Sequence, residues 1–325
     1  MGSASSARRF CLAFLVLLVP ASALAQSGAY PSKPVRIIVP FAPGGIADVA
    51  TRLIAAKLGD AWGQPALVEN RGGAGGNVGT VAVARSSPDG YTVLATTTAV
   101  AVNPSLYKNA GYDLEKDLAP VIDVASSPNL IVVHPSLGVS NLRELFAKAK
   151  AGKLSYGSAG SGTTPHLTAE HLFRVQAGLD IVHIPYGGAG PAVSAAVAGQ
   201  VDVGSISMPP AVPMVKAGRL RAIAVTSNKR AAALPDVATV AEQGFPGFED
   251  YTWVGIFMPA GAPGEAIGRL NAEIEKLLAT AEMKERLAAL GFEPVGGSPA
   301  QFAAYLKKEL AKWAQMVKEV GAKVD

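Results

Sequence analysis

The sequence predicts an α/β protein of two lobes. Three observations predict it. Apolar, β-branched runs alternate with helical stripes, the order of a largely parallel sheet covered on both faces. That rhythm breaks twice: residues 119–134 hold two apolar runs with no helix between them, and 252–261 is another extended apolar run. The chain is also too long for a single core of ordinary size.

In order, the first 25 residues stand outside this pattern. Arg8 and Arg9 precede an apolar run at 10–19, and Ala23-Leu24-Ala25 is a small-x-small cleavage site. This is the layout of a secretory signal peptide, cleaved before Gln26. The run is too short to span a bilayer, which takes about 20 apolar residues. The only cysteine, Cys11, lies inside it. The exported chain then has no disulfide and depends on its core. Removing 25 of 325 residues leaves 300, and losing two arginines lowers the formal charge from +4 to +2. No lysine or arginine run follows, so nucleic acid is excluded as a partner.

Residues 35–39 read as a buried strand. A helix follows, with Val49, Leu53, Ile54 and Leu58 on its apolar side. Residues 66–69 are a strand, 77–85 a helix and 91–95 a strand. The run 119–134 crosses to the second lobe. There 142–150 is helical and 154–158 a strand. A helix starts near Thr164, 181–186 is a strand and 192–198 a helix. Residues 201–207 and 221–226 are further strands. Residues 252–261 cross back. The end is helical: Ile267, Leu270, Ile274, Leu277 and Leu278 form one stripe, and Phe302, Leu306, Leu310, Trp313 and Val317 another. Ser298-Pro299-Ala300-Gln301 is a helix start with serine cap, N1 proline and N3 glutamine. These helices return to the first lobe. Lobe 1 is therefore 26–126 plus 252–325, and lobe 2 is 127–251.

Four joints pass from strand through glycine-rich loop to helix: Pro43-Gly44-Gly45, "RGGAGGNVG" at 71–79, "GSAGSGTTPHL" at 157–167 and "YGGAGPA" at 186–192. A helix start leaves N–H groups unpaired and carries roughly half a positive charge. Glycine admits a second body close to that backbone. Such a joint holds an anion without a cationic side chain. In open α/β sheets these loops gather at the carboxyl ends of the strands, where ligands bind. One joint alone is commonly just a turn. Four, two in each lobe, point to a binding cleft.

Sharper motifs fail. Val78 and Val193 stand where a dinucleotide fingerprint needs glycine, and there is no P-loop. No G-x-S-x-G elbow exists. His166 and His171 are five apart, on different helix faces, so no zinc pair forms. No metal or cofactor is implied. Asp48, in the first turn of its helix, either complements the dipole or orients a ligand. Thr163 or Thr164 caps the helix that Pro165 opens, and its hydroxyl could meet a ligand oxygen. His166 stands beside that joint. Tyr186 and Thr97 end strands where a pocket wall would be, and Phe41, Ile46 and Ser207 are further candidate pocket residues.

"YPSKPVRIIVPFAPGG", "VENRGGAGGNVG", "SPDGYTVL", "GKLSYGSAGSGTTPHL", "GRLRAIAVTS" and "LPDVATVAEQGFPGFE" resemble the tripartite tricarboxylate transporter receptor family, the Bug solute receptors. The match runs from about Tyr30 to the C-terminus. The resemblance implies a periplasmic binding protein of the type II, Venus-flytrap kind, hinged on two crossover strands. It implies a small carboxylate ligand (mono-, di- or aromatic), handed to a membrane transporter or a sensor, and a receptor that is monomeric and not an enzyme. It places the ligand carboxylate on Pro43, Gly44 and Gly45, with Asp48 at the acidic position, and on Ser158, Gly160, Ser161, Gly162, Thr163 and His166. Two positions depart from the family pattern: Gly72 stands where proline is usual, and Gly187 where lysine is frequent. A rival reading is a secreted hydrolase using Ser158 or Ser161 with His166, which needs an activated nucleophile and an oriented base.

Overall fold

The computed structural model describes residues 30–324. The signal-peptide reading of residues 1–25, Cys11 included, lies outside the described residues.

The chain runs β1 (Val35–Val39), α1 (Ile46–Trp62), β2 (Ala66–Asn70), α2 (Asn77–Ala84), β3 (Thr92–Thr97), α3 (Ala99–Leu106) and α4 (Leu114–Asp117). β1 lies between β2 and β3, parallel to both. Neither α3 nor α4 was expected. α4 is a single turn held by Asp113, whose carboxylate accepts the amides of Glu115 and Lys116.

β4 (Leu118–Val133) is one strand of 16 residues, not two runs. Ser126-Ser127-Pro128 reads as punctuation in sequence, yet the strand passes through it. Pairing with β9 ends at Pro128 and pairing with β7 begins at Asn129. A proline, which has no N–H to give, is tolerated where the ladder changes partner.

The second half continues with α5 (Leu142–Ala151), β5 (Ser155–Ser158) and α6 (Thr164–Ala169), which runs on as a π-helical segment, Glu170–Gln176. Then come β6 (Val182–Pro185), α7 (Ala189–Val197), β7 (Val203–Ser207), α8 (Met208–Lys216) and β8 (Arg221–Val225). α8 was unforeseen because "MPPAVP" holds three prolines. Two of them, Pro209 and Pro210, fall in the first turn, where no N–H is required.

β9 (Tyr251–Pro259) returns, followed by α9 (Gly264–Ala279), α10 (Ala281–Ala289), β10 (Glu293–Gly296) and α11 (Pro299–Val320). α11 begins with the expected capping box of Ser298 and Gln301. Its Phe302, Leu306, Trp313 and Val317 are buried, while Leu310 is half-buried. On α9, Leu270, Ile274 and Leu278 are buried, with Ile267 and Leu277 at the margin.

The sheet order is β2-β1-β3-β9-β4-β7-β5-β6, with β8 and β10 also paired to β4. β4 is therefore the spine. Its first part pairs antiparallel with β9 and β10, its last part with β7 and β8. Two lobes share this strand, each with its own apolar core, and β9 is the return path. Among the described residues no helix is long and apolar enough to cross a membrane.

Candidate functional site

The site begins with the loop between β1 and α1. Asp48 is 4% exposed and faces back into that loop. Its carboxylate accepts the Gly44 amide (2.9 Å), Arg52 Nε (3.0 Å) and Asn70 Nδ2 (2.9 Å). Asn70 Nδ2 also donates to the Phe41 carbonyl at 3.0 Å. Burial alone would raise the Asp48 pKa. Hydrogen bonds from Arg52, Gly44 and Asn70, with the Arg52 charge, hold it below the ordinary carboxylate value. Asp48 thus clamps the loop. Gly44 spends its N–H on that clamp, so the open amides are those after it. Gly45 caps α1 with no side-chain hydrogen bond, and the first-turn amides of Ile46 and Ala47 have no intrahelical acceptor.

The second lobe brings three more helix starts to the same place. α6 begins after Thr163, α7 after Gly188 and α8 after Ser207, all without a side-chain cap. The Thr163 hydroxyl turns away to the Gly160 carbonyl at 2.7 Å. These starts and α1 surround a narrow inner pocket. Gly45, Ile46 and Ala47 line it from one lobe; Thr163, Thr164, Ala189 and Ser207 line it from the other. Phe41, Ala159, Pro165, Thr97 and Thr252 complete the wall. No lining side chain is charged. Converging helix starts make the pocket positive all the same.

A wider outer cavity adjoins it, and Phe41 and Ala159 border both. Ala74, Gly75 and Tyr107 face Gly160, Ser161 and Tyr186 across it. The lobes touch directly here. Ala42 N–H donates to the Gly187 carbonyl (3.0 Å), and the Tyr107 hydroxyl to the Ser161 carbonyl (3.2 Å). A Cβ on Gly75 would collide with the Ser161 carbonyl, and one on Gly162 with Asn103 Oδ1. This is a closed form, and several loop glycines are needed for one lobe to meet the other.

Of the residues expected at a site, Phe41, Gly45, Ile46, Thr97, Thr163, Thr164 and Ser207 line the inner pocket. Gly160, Ser161 and Tyr186 line the outer one. Six line neither. Gly44 and Asp48 form the clamp, and the Pro43 carbonyl packs against Gly190 of the other lobe. Gly162 lies under Asn103. Ser158 Oγ meets His183 Nε2 at 2.7 Å, not His166. His166 stacks on His183 with ring centroids 4.2 Å apart, and its Nδ1 accepts the Gly162 amide at 3.4 Å. Burial, with the Arg174 charge, lowers the His166 pKa to about 4. Burial, with the charge of His166, lowers that of His183 to about 3, against the pull of Glu170. Both rings are neutral near pH 7. Ser158 is fully buried, away from both cavities, so it presents no nucleophile to a ligand.

Sequence reasoning missed Ala47, Ala159, Pro165, Ala189 and Thr252. Thr252 left a faint signal, a lone hydroxyl where the apolar return strand begins. Among the described residues no cluster of histidine, cysteine and carboxylate side chains could hold a metal ion.

Two α/β lobes sharing a spine strand, closed on a pocket of helix starts, define a hinged solute receptor. Residues 50–322 match the tripartite tricarboxylate transporter family receptor. BugT of Bordetella pertussis is 38% identical over 299 residues, covering 91% of each chain. The structure of Rpa4515 from R. palustris with adipate superposes with a TM-score of 0.88 at 34% identity, covering 91% of this chain and 100% of that one. MatC from Rhodopseudomonas palustris with bound malate gives 0.84 at 30%, covering 89% and 100%. The chain belongs to the tripartite tricarboxylate transporter receptor family, the Bug-type solute receptors, and is a receptor rather than an enzyme.

Proposed function

We propose that this receptor captures a small carboxylate-bearing solute in the periplasm and delivers it to a tripartite tricarboxylate-type membrane transporter or to a sensor. One observation carries the reading. Helix starts from both lobes converge on a pocket whose lining has hydroxyls and open amides but no charged side chain. The carboxylate sits on the amides of Gly45, Ile46 and Ala47 and on those opening α6 and α7, with the Thr97 and Ser207 hydroxyls beside them. The rest of the solute extends past Phe41 into the outer cavity. The adipate and malate held by related proteins are consistent with this chemistry. The receptor acts as a monomer, exported with loss of residues 1–25, whose lobes divide at 126/127 and 251/252.

A ligand that touches both lobes binds the closed form better and shifts the hinge toward it. Charge-assisted bonds of about 1.5–3 kcal/mol each suffice for the shift. Calorimetric titration at pH 7 with acetate, malate, adipate and benzoate tests the reading. At least one acid is expected to bind and, at 100 times its Kd, to add about 2.7 kcal/mol of stability. If every acid is silent, or a neutral amide analogue binds as tightly, the reading fails.

A further inference from the structure

Two strands, β4 and β9, cross between the lobes, and one buried carboxylate sits where they meet the end of β8. Asn129 of β4, Thr226 after β8 and Asp250 before β9 are laced together. The Asp250 amide donates to the Thr226 carbonyl (3.0 Å), and the Thr226 hydroxyl to the Asp250 carbonyl (2.6 Å). Asn129 N–H donates to Thr226 Oγ1 at 2.8 Å. The Asp250 side chain is not needed for this lacing, yet it is 7% exposed and its Oδ1 has no hydrogen-bond partner.

Its other oxygen ends a chain that starts in the inner pocket. The Thr252 hydroxyl donates to Asn129 Oδ1 at 2.9 Å. A hydroxyl has one proton, so in the Thr164–Thr252 pair Thr164 is the donor. Asn129 Nδ2 then donates to Thr168 Oγ1 (3.2 Å) and Asp250 Oδ2 (3.3 Å), and the Thr168 hydroxyl donates to Asp250 Oδ2. Every proton in the series points toward Asp250. The carboxylate, an acceptor only, thereby sets which way two pocket hydroxyls face.

Asp250 also borders a cavity between the π-helical segment of one lobe and α11 of the other. Arg174 of that segment donates to the Val320 carbonyl of α11, a contact between the lobes. The charged and titratable groups facing Asp250 are Lys312, Glu309 and Tyr305 from α11, His171 from the π-helical segment, and its neighbours Glu249 and Tyr251.

We propose that Asp250 is a positioning residue for the inner pocket and the proton-sensitive element of the hinge: it orients Thr252 and Thr164, and its burial between the lobes couples closure to proton uptake. The orientation half rests on the solute-capture reading; the proton half does not.

Burial raises the Asp250 pKa to about 6, against Lys312 and the Thr168 hydrogen bond and with the help of Glu309. A raised carboxylate pKa favours the closed form at low pH, and the advantage is lost as pH rises through about 6. For an open form in which the carboxyl regains its ordinary value of 3.8, affinity is expected to be about fourfold tighter at pH 5.5 than at pH 7.5. The probe is whichever of malate, adipate, acetate and benzoate binds tightest. Titration at pH 6 in two buffers of different ionisation enthalpy should show proton uptake by the wild type. Asp250→Asn should show neither the uptake nor the pH slope. Equal uptake and slope in the variant would overturn the proposal. A second measurement needs no solute. X-ray scattering of the ligand-free wild type should give a smaller radius of gyration at pH 5.5 than at 7.5, with no change in Asp250→Asn. If no acid binds, solute capture fails, and scattering alone decides the proton coupling. A wild-type radius that ignores pH overturns it.

Discussion

At the residue scale, two buried aspartates answer pH in opposite senses. Asp48 has many donors and a lowered pKa. Its stabilisation is present above about pH 4, the ordinary aspartate value, and is lost as pH falls through its lower folded value. Asp48→Asn should cost about 1–3 kcal/mol at pH 7, because hydrogen bonds to a charged acceptor weaken. Thermal unfolding from pH 3 to pH 8 should show that gap shrinking only at the acid end; a constant gap would refute the clamp. Asp250, short of donors, behaves the reverse way. Sequence showed an acidic residue in the first turn of α1 but not its partners. Arg52 is one helical turn away and legible; Asn70 ends another strand and becomes a partner only when β1 and β2 pair.

At the element scale, the unit of function is an uncapped helix start. Glycine-rich joints were visible because glycine marks positions where backbone must be approached. Gly45 is extended, with φ −83°, and a Cβ there would lie 3.5 Å from the Ala189 amide nitrogen. A larger side chain is thus sterically accepted by the backbone but fills the space over the amides. Gly45→Val should leave the melting temperature within a few degrees of wild type. It should weaken acid binding on the order of a hundredfold, the loss of two bonds of about 1.5 kcal/mol. A folded variant with wild-type affinity would make the joint merely a turn. The start of α8 was hidden by its prolines, and the continuity of β4 by Pro128. Pro209, Pro210 and Pro128 look like breakers, and each stands where its missing N–H is not required.

At the scale of the whole molecule, glycines serve closure as much as ligand approach. Gly75 has φ +61°, and its missing Cβ leaves room for the Ser161 carbonyl of the other lobe. Gly75→Ala should cost about 1–2 kcal/mol in backbone strain and keep the lobes apart. With saturating acid, scattering should find the wild type compact and the variant larger; equal compaction would refute the steric role. Sequence by itself determined the two-lobed α/β class, the joints and most of the pocket's loops, because periodicity and glycine punctuation are local properties. Only the tertiary structure decided which amides remain open, that Ser158 faces His183 instead of His166, and that Thr252, Asn129 and Asp250 join the pocket to the hinge. Those outcomes depend on contacts between segments up to 123 residues apart, and no local pattern encodes which distant donor meets which acceptor.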